Sequence, residues 1–401
     1  MKTIYPRDYY NLKIEKLIGK GLIIVLTGQR RVGKSCIMKE FVARYEADEN
    51  NNVVYINKEL PQYDHIRSHE QLTPFVAEHY REGQRNYLFI DEVQEIAEFE
   101  RTLRGLQAEG LWEIIVTGSN ATMLSGELAT VLAGRYAEVH IGSLSYKEFL
   151  AFHNLQDSDN ALMQYLEWGG MPHLHRLGLD NTDVVEDYLQ TLYDTIVVKD
   201  IITRERIRNA NFLKRLIAFA ADNVGQMFSA SAICKYMKAE RVDVSLGMVM
   251  DYMSYFRNAY VINQVQRYDI HGKRLLNMNE KYYFEDLGLR NSLVPTNRMG
   301  SMEKLIENAI YLHLKQQGYR ISVGQLKTGE IDFVAEKNGT KRYIQATYLL
   351  ASQDTIDREF GNLLQIPDNY DKLVVSLDPF YRQADHHGVR HLPLRQFLLD
   401  E

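Results

Sequence analysis

The sequence predicts an α/β protein whose amino-terminal domain is built around a parallel β-sheet. Three observations carry this prediction: a short apolar run at residues 22–27, a glycine-rich loop directly after it, and a stretch with helical spacing after the loop. Further apolar runs alternate with helix-like stretches as far as residue 120. Strands that alternate with helices form parallel sheets, and such sheets bind ligands at the carboxyl ends of their strands.

The glycine-rich loop fits the Walker A pattern G-x-x-x-x-G-K-[ST] at every fixed position. Glycines let main-chain amides turn toward a phosphate, and the amino terminus of the following helix adds its positive dipole end. Lys34 would contact the β- and γ-phosphates, and Ser35 would bind Mg²⁺. Cys36 is expected to be a small buried filler. The loop predicts binding of ATP with Mg²⁺ through Gly28, Gln29, Arg30, Arg31, Val32, Gly33, Lys34, Ser35 and Cys36.

Two adjacent acids follow the predicted strand Asn86–Ile90. Asp91 can hold the Mg²⁺ shell through water, and Glu92 can polarise the attacking water as general base. An apolar run followed by Asp-Glu is weak evidence when taken alone, because a solvated strand end gives the same pattern. With one predicted strand between it and the glycine loop, the pattern becomes specific for an ATPase.

A third polar group ends the apolar run that begins at Trp112. Ser119 or Asn120 would lie beside the γ-phosphate and orient the attacking water. Alternatively, both cap a helix that starts near Ala121, since serine and asparagine are good N-cap residues. Both interpretations stay open from the sequence.

A single arginine, Arg135, follows Gly134, and the local pattern alone favours a surface arginine. Together with the Walker A loop, Asp91-Glu92 and residues 117–120, this pair and the segment Ser143–Phe149 resemble a bacterial and archaeal family of AAA-type ATPases. That family carries a C-terminal region known as DUF4143. The resemblance runs nearly end to end, and it implies a phosphate-stabilising role for Arg135, in cis or in trans. The family usually has proline where this chain has Ser143.

The C-terminal part is predicted to contain three modules after an ATPase domain at residues 1–145. Residues 146–204 are predicted to form a helical lid or connector, in which the segment Trp168–Pro172 separates two helices. Residues 205–295 contain three helix-like pieces and a β-hairpin, the pattern of a winged helix-turn-helix. The third of these helices, Ser245–Asn258, has Arg257 as its only cation, so protein contact is favoured over DNA reading.

Residues 300–401 are predicted to form a restriction-endonuclease-like α/β domain. Glu307 on a helix and Asp332 on a strand match the metal-binding acids of that pattern. Gln345 replaces the second acid, and Thr347 stands where a water-activating lysine is expected. The sequence therefore predicts a degraded or absent catalytic centre, although Lys341 or Lys327 could take the lysine's role.

Composition sets broad limits on these interpretations. The 401 residues include 45% hydrophobic and 25% charged residues, which is ordinary for a soluble globular protein. The net charge of −6 gives no overall electrostatic argument for nucleic acid. Two cysteines fit a reducing compartment, so a cytoplasmic location is expected, and neither a signal peptide nor a membrane span is predicted.

The sequence as a whole predicts an Mg²⁺-dependent ATPase whose nucleotide state drives motion in the C-terminal modules. Glu92, Asn120 and Arg135 are the candidate catalytic residues, and Ser35 and Asp91 the candidate metal ligands. One alternative is an ATP-gated DNA nuclease. A second is a slow nucleotide-dependent switch or scaffold that binds protein or DNA. The sequence leaves the partner, DNA or protein, and the oligomeric state open.

Overall fold

The computed structural model describes residues 5–121, 132, 134–205, 207, 209–239, 241–294, 301–379, 381 and 385–400, with only the main chain at 277–279. Two compact units are present. The first comprises Met1–Gly142 and Asn258–Tyr260, and the second comprises Ser143–Arg257 and Val261–Glu401. No helix among the described residues is both long enough and apolar enough to cross a membrane.

The first unit contains a five-stranded parallel sheet with the strand order β2-β3-β4-β1-β5. The strands are β1 (Ile23–Thr27), β2 (Asn51–Asn57), β3 (Arg85–Asp91), β4 (Trp112–Thr117) and β5 (Tyr136–His140). The helices are α1 (Asp8–Glu15), α2 (Lys34–Glu46), α3 (His69–Glu78) and α4 (Phe99–Glu109). The predicted strand, loop and helix around the Walker A pattern are confirmed. Strand β5 was not predicted, and the helix expected after Ala121 falls at 122–131, outside the described residues.

The core of this unit explains why these segments form strands and helices. All five residues of β1 are buried, as expected for a central parallel strand covered on both faces. Helix α2 buries Ile37, Met38, Phe41 and Val42, which recur at helical spacing. Burying each such side chain stabilises the fold by roughly 1.5–3 kcal/mol. The sheet and α2 therefore hold the intervening loop from both ends.

The second unit contains a mixed eight-stranded sheet with the order β12-β13-β11-β10-β9-β8-β6-β7. Its strands are β6 (Ile262–Asp269), β7 (Arg274–Phe284), β8 (Arg320–Leu326), β9 (Gly329–Lys337), β10 (Thr340–Thr347), β11 (Asp371–Ser376), β12 (Asp385–His386) and β13 (Val389–Pro393). Its helices before the sheet are α5 (Tyr146–His153), α6 (Asp159–Trp168), α7 (Leu174–Leu177), α8 (Thr182–Thr195), α9 (Ala210–Asp222), α10 (Ala230–Ala239) and α11 (Leu246–Asn258). The later helices are α12 (Leu287–Ser292), α13 (Met302–Gln316), α14 (Gln353–Leu364) and α15 (Leu394–Leu399).

The hairpin expected in a winged-helix domain is part of this larger sheet. Strand β6 pairs antiparallel with β7 and parallel with β8, the first strand of the segment predicted to be nuclease-like. Helices α9, α10 and α11 confirm the three predicted helices, but they lie in the same compact unit as that sheet. The domain boundaries at residues 145, 204, 295 and 300 therefore stay predictions about separable modules.

At the predicted break between helices, Gly169 and Gly170 pack closely against two other segments of the chain. A β-carbon on Gly169 would lie 2.3 Å from the amide nitrogen of Gly288, and one on Gly170 would lie 2.4 Å from the carbonyl oxygen of Leu144. The Gly170 amide donates a 2.8 Å hydrogen bond to the buried Asp286 carboxylate. Only glycine permits this spacing, so the pair fixes the segment at residue 144 against the start of α12.

Candidate active site

The main chain after β1 forms the loop that the glycine pattern predicts. Gly28 and Gly33 have φ values of 136° and 102°, in the region that favours glycine, and Arg31 has a φ of 68°. A β-carbon on Gly28 would lie 2.1 Å from the carbonyl oxygen of Ile141. Helix α2 begins at Lys34, directly after the loop. The positive φ values and the helix amino terminus are the features by which such loops bind phosphate.

The lysine of the loop is folded against the loop's own main chain. Lys34 is 4% exposed, and its Nζ donates to the carbonyl oxygens of Gly28 at 2.8 Å and Gln29 at 2.9 Å. These contacts fix the ammonium group beside the loop, where the motif places the β- and γ-phosphates. Gln29 is also buried, whereas Arg31 and Cys36 are exposed. The expectation that Cys36 is a buried filler is therefore wrong, because the first turn of α2 points this side chain outward.

The two predicted metal ligands, Ser35 and Asp91, are hydrogen-bonded to each other. The Ser35 hydroxyl donates to Oδ1 of Asp91 at 3.0 Å, although 56 residues separate them. Thr117 donates to the same oxygen at 2.6 Å, and Tyr55 donates to Oδ2 at 3.3 Å. Burial raises the pKa of Tyr55, and the Asp91 charge raises it further, so Tyr55 remains a donor. A hydroxyl and a carboxylate are the oxygen ligands that Mg²⁺ prefers, so the residues fit this ion.

Glu92 lies at a turn that directs it toward the end of β4. Its φ of 57° is unusual for a residue other than glycine, and such conformations cluster at functional sites. Its amide donates to the Thr117 hydroxyl at 2.9 Å. Its Oε2 accepts a 3.2 Å hydrogen bond from Ser119 and another from the Gln94 amide. The geometry therefore brings Ser119 and Glu92 together, as expected for side chains at neighbouring strand ends.

The other two candidate catalytic residues occupy different positions. Asn120 is buried after β4, and the amide of the next residue, Ala121, donates to the carbonyl oxygen of Asn258 at 2.8 Å. Arg135 is exposed, and its carbonyl oxygen accepts a 3.0 Å hydrogen bond from the amide of Ile23. Ile23 begins β1, so Arg135 lies at the amino ends of the parallel strands, at the edge of the sheet opposite the Walker A loop.

Sequence reasoning missed Arg7, which supports the loop. Arg7 is 3% exposed, and its guanidinium group donates to the carbonyl oxygens of Val32 at 3.0 Å and Gly142 at 2.8 Å. It also lies 4.5 Å from the ring centroid of Tyr10. The contacts of Tyr55, Thr117 and Gln94 were missed as well, although Thr117 lies in the segment 117–120 that carries the family resemblance. Arg7, Tyr55 and Gln94 belong to no such pattern, so only the fold shows their contacts.

The predicted nuclease-like residues form a separate cluster in the second unit. Oδ2 of Asp332 accepts from the amide of Ala346 at 2.8 Å, and Oε1 of Gln345 accepts from the amide of Asp332 at 3.4 Å. Glu307 accepts a 3.0 Å hydrogen bond from Lys281. The lysine that contacts Glu307 and Asp332 is thus Lys281 of β7. Lys341, one of the two lysines that the sequence left open for this role, instead pairs with Glu336 at 2.7 Å.

Comparison with known proteins agrees with the geometry of the loop. Residues 20–150 match a family model described as an AAA domain, AAA_14. The chain is 31% identical over 405 residues to an uncharacterized protein of Haemophilus influenzae, with 99% of each chain covered. The chain belongs to the same family as that protein. The AAA domain is of the P-loop ATPase type, as the Walker A loop predicts.

The C-terminal match differs from the expectation. Residues 159–300 match DUF8612, a domain of unknown function, so a DUF4143 region is not confirmed. The chain is also 26% identical over 355 residues to uncharacterized protein MJ1544 of Methanocaldococcus jannaschii, with coverage of 85% and 78%. Among solved structures, the Walker-type ATPase paby2304 of Pyrococcus abyssi matches with a TM-score of 0.49 and 16% identity, covering 73% of this chain and 96% of that one. This structural likeness is too low to support a conclusion about function.

Proposed function

We propose that the protein binds and hydrolyses ATP with Mg²⁺ in the AAA domain. The observation that carries this proposal is the hydrogen bond between Ser35 and Asp91, which joins the Walker A helix start to the strand end that Glu92 follows. Mg²⁺ bound with ATP would neutralise charge that develops on the β- and γ-phosphates. Ser35 and Asp91 would hold the ion, Lys34 would bind phosphate oxygens, and Glu92 would accept a proton from the attacking water.

We infer that Arg135 acts on the nucleotide of a neighbouring copy rather than on its own. Strand β1 separates Arg135 from the Walker A loop, and five strand residues span roughly 16 Å. A fully extended arginine side chain reaches about half that distance from its own main chain. An exposed arginine at the far edge is suited to complete a second subunit's site, where it would stabilise charge on the transferred phosphoryl group. The active form would then be an oligomer.

A short segment supports the proposal that the nucleotide state moves the C-terminal residues. Asn258–Tyr260 belong to the first unit, although the chain on either side belongs to the second. The carbonyl oxygen of Asn258 is bonded to the amide that follows Asn120, the candidate γ-phosphate sensor. A displacement of Asn120 would therefore also displace Asn258 and the chain that continues from it into β6.

The helix predicted to read DNA favours a protein partner instead. Toward solvent, α11 presents Leu246, Gly247, Met250, Asp251 and Arg257. Arginine, lysine, asparagine and glutamine are the usual readers of base edges, and this surface has one of them beside an acid. Leu246 and Met250 are instead large apolar groups, 54% and 46% exposed. We therefore propose a protein partner for this surface.

A slow switch remains the second candidate, because the base is restrained. Ser119 and Gln94 both donate to Oε2 of Glu92, and these bonds must be broken or rearranged before that oxygen takes a proton. An ATPase that drives repeated motion would turn over at about 1 s⁻¹ or faster. Tight ATP binding with much slower turnover would favour the switch.

The test compares two lysines of α2. Lys34→Ala should weaken ATP binding about 100-fold, because charge-assisted hydrogen bonds to the phosphates are lost. Lys39→Ala removes an exposed lysine from the same helix and should leave binding unchanged. Binding is measured with a fluorescent ATP analogue, and hydrolysis by phosphate release with and without Mg²⁺. Unchanged binding in Lys34→Ala, or Mg²⁺-independent hydrolysis, would contradict the proposal.

A further inference from the structure

A buried group of charges in the second unit lies outside the nucleotide site. We call it the acid cluster, and it consists of four carboxyl groups from three elements around one lysine from a fourth. Helix α13 supplies one acid, β9 two and α14 one, while β7 supplies the lysine. The members are Glu307, Glu330, Asp332, Glu359 and Lys281. Because negative charge is in excess, this place in the fold requires a cation.

The Lys281 ammonium is enclosed by three of these acids. Its Nζ lies 2.6 Å from Glu330, 3.0 Å from Glu307 and 3.6 Å from Asp332, and the residue is 3% exposed. Burial lowers the pKa of Lys281, but the three carboxylates outweigh burial and raise it above its ordinary value. An ammonium group has three N–H donors, and Glu330 and Glu307 lie at hydrogen-bond distance, while Asp332 is a slightly longer ion-pair neighbour. Lys281 is therefore charged, and its ammonium group is held in place by these ion pairs.

Glu359 shows that the cluster's demand for positive charge is not fully met. It is 4% exposed, and its Oε2 has no partner at ordinary hydrogen-bond distance among the described residues, although the Gln345 side chain is near enough to lower the pKa of Glu359. Burial raises the pKa of Glu359, and the charge of Asp332 raises it further, so the two carboxyl groups are close. The exposed Arg358 side chain donates a 2.7 Å hydrogen bond to Oε1, the other carboxyl oxygen of Glu359. A buried carboxyl oxygen near a second acid is an environment in which a cation is stabilised.

The acid cluster lies in the segment that was predicted to be nuclease-like. The elements follow the order α13-β8-β9-β10-α14-β11, with β8, β9 and β10 antiparallel and β11 parallel to β10. In the nuclease pattern, the acids that Glu307 and Asp332 match bind a divalent metal, and a lysine stands where this chain has Thr347. The ammonium of Lys281 lies among the same oxygens that such a metal would need. No group of three or more His, Cys, Asp or Glu residues within the described part of the chain is arranged to hold a metal ion.

We propose that Lys281 is a built-in cation that occupies the position of a divalent metal and closes the acid cluster to metal. Carboxylate oxygens bind Mg²⁺ at 2.0–2.1 Å, a position that the ammonium nitrogen now blocks. The native chain therefore cuts no phosphodiester bond through this cluster. Its lysine instead joins β7 to α13 and β9. Once the ammonium is removed, we expect Glu307, Glu330 and Asp332 to close around a divalent cation that their present arrangement does not hold. This inference does not depend on the ATPase proposal.

The experiment uses the full chain with Lys281 replaced by methionine, which keeps the length of the side chain. Mn²⁺ binding is measured by electron paramagnetic resonance and compared with the wild type, so that binding at the Walker A loop cancels. Lys281→Met should bind about one additional Mn²⁺ per chain, and adding Asp332→Asn should abolish the gain. Lys341→Met is the matched control, because Lys341 pairs with a single carboxylate on a neighbouring strand. It should bind as much Mn²⁺ as the wild type.

A second readout covers the case in which the variant folds poorly. Lys281→Met should melt at a lower temperature than the wild type, and Mn²⁺ should restore much of the loss, because the ion replaces the missing charge. Mn²⁺ should change the melting of the wild type and of its Asp332→Asn variant equally. A folded Lys281→Met without additional Mn²⁺ would overturn the proposal. So would wild-type Mn²⁺ binding or DNA cutting that Asp332→Asn abolishes, which would place the lysine beside a metal rather than instead of one.

Discussion

Lys34 and Lys281 are equally buried, but their ammonium groups are held by different chemistry. Lys34 donates to two neutral main-chain carbonyls, at 2.8 and 2.9 Å. Lys281 is held by the carboxylates of Glu307, Glu330 and Asp332. Carbonyl dipoles can be exchanged for a charged phosphate at little cost, whereas separating an ammonium from buried carboxylates leaves uncompensated charges. The first arrangement suits a ligand site, and the second suits a permanent internal contact.

The two regions also differ in whether one chain completes them. The acid cluster draws all its members from the second unit. The proposed nucleotide site contains Ser35, Asp91 and Glu92, but Arg135 lies at the opposite edge of its sheet. Changes at the proposed nucleotide site should therefore alter turnover and depend on assembly. Changes at the cluster should instead alter stability and its pH dependence.

The largest expected effect comes from Arg135→Ala. Turnover should fall about 10³-fold while ATP binding is retained, because the arginine would stabilise charge only as the phosphoryl group is transferred. Mixing Arg135→Ala with Lys34→Ala should restore part of the activity, since one chain supplies the intact site and the other supplies the arginine. Arg104→Ala, an exposed arginine of the same unit, is the control. Failure of the mixture to recover activity would argue against action between copies.

Glu92→Gln should have the next largest effect, about 100-fold or more on turnover, with ATP binding unchanged. The amide keeps the size of the side chain but cannot accept the proton of the attacking water. Glu95→Gln changes an exposed acid three residues away and should leave turnover unaltered. Phosphate release under single-turnover conditions is the measurement. Normal hydrolysis in Glu92→Gln would remove this residue from the role of base.

The smallest effect is expected from Glu307→Gln, in stability rather than turnover. Burial raises the pKa of Glu307 to about 7, although the positive charge of Lys281 lowers this pKa. The folded chain then holds this proton more tightly than the unfolded chain, so the stabilisation is present below pH 4.5 and is lost as the pH rises to about 7. Burial lowers the pKa of His153 and of His313 to about 4, so their stabilisation is lost as the pH falls below 6.5, in both proteins alike.

Urea unfolding at several pH values gives the measurement. The difference in unfolding free energy between the wild type and Glu307→Gln should change between pH 4.5 and 7 and stay constant above pH 7. Because the two histidines are common to both proteins, their contribution cancels in this difference. A difference that is independent of pH across this range would mean that Glu307 does not titrate there.

Local patterns predicted much of the first unit and less of the second. The Walker A loop is a contiguous main-chain conformation, and parallel strands bring their carboxyl ends to one edge, so Ser35 and Asp91 could be paired from the sequence. The hairpin was predicted, but its strand β7 runs on to Phe284 and joins a sheet that the domain boundaries had divided. Which strand lies beside β8 is a long-range choice that periodicity does not encode.

The sequence by itself determined the phosphate loop, the two acids at the end of β3 and the acids of α13 and β9, because each depends on residue type and short-range spacing. Only the tertiary structure decided that Lys281 meets Glu307, 26 residues away. The register of β6 and β7 shifts between Val265 and Arg267, and a slip of one residue would turn Lys281 to the other face. Likewise, only the packed fold places Arg7 on the loop and Arg135 at the far edge, since a lone arginine carries no pattern that specifies its partners.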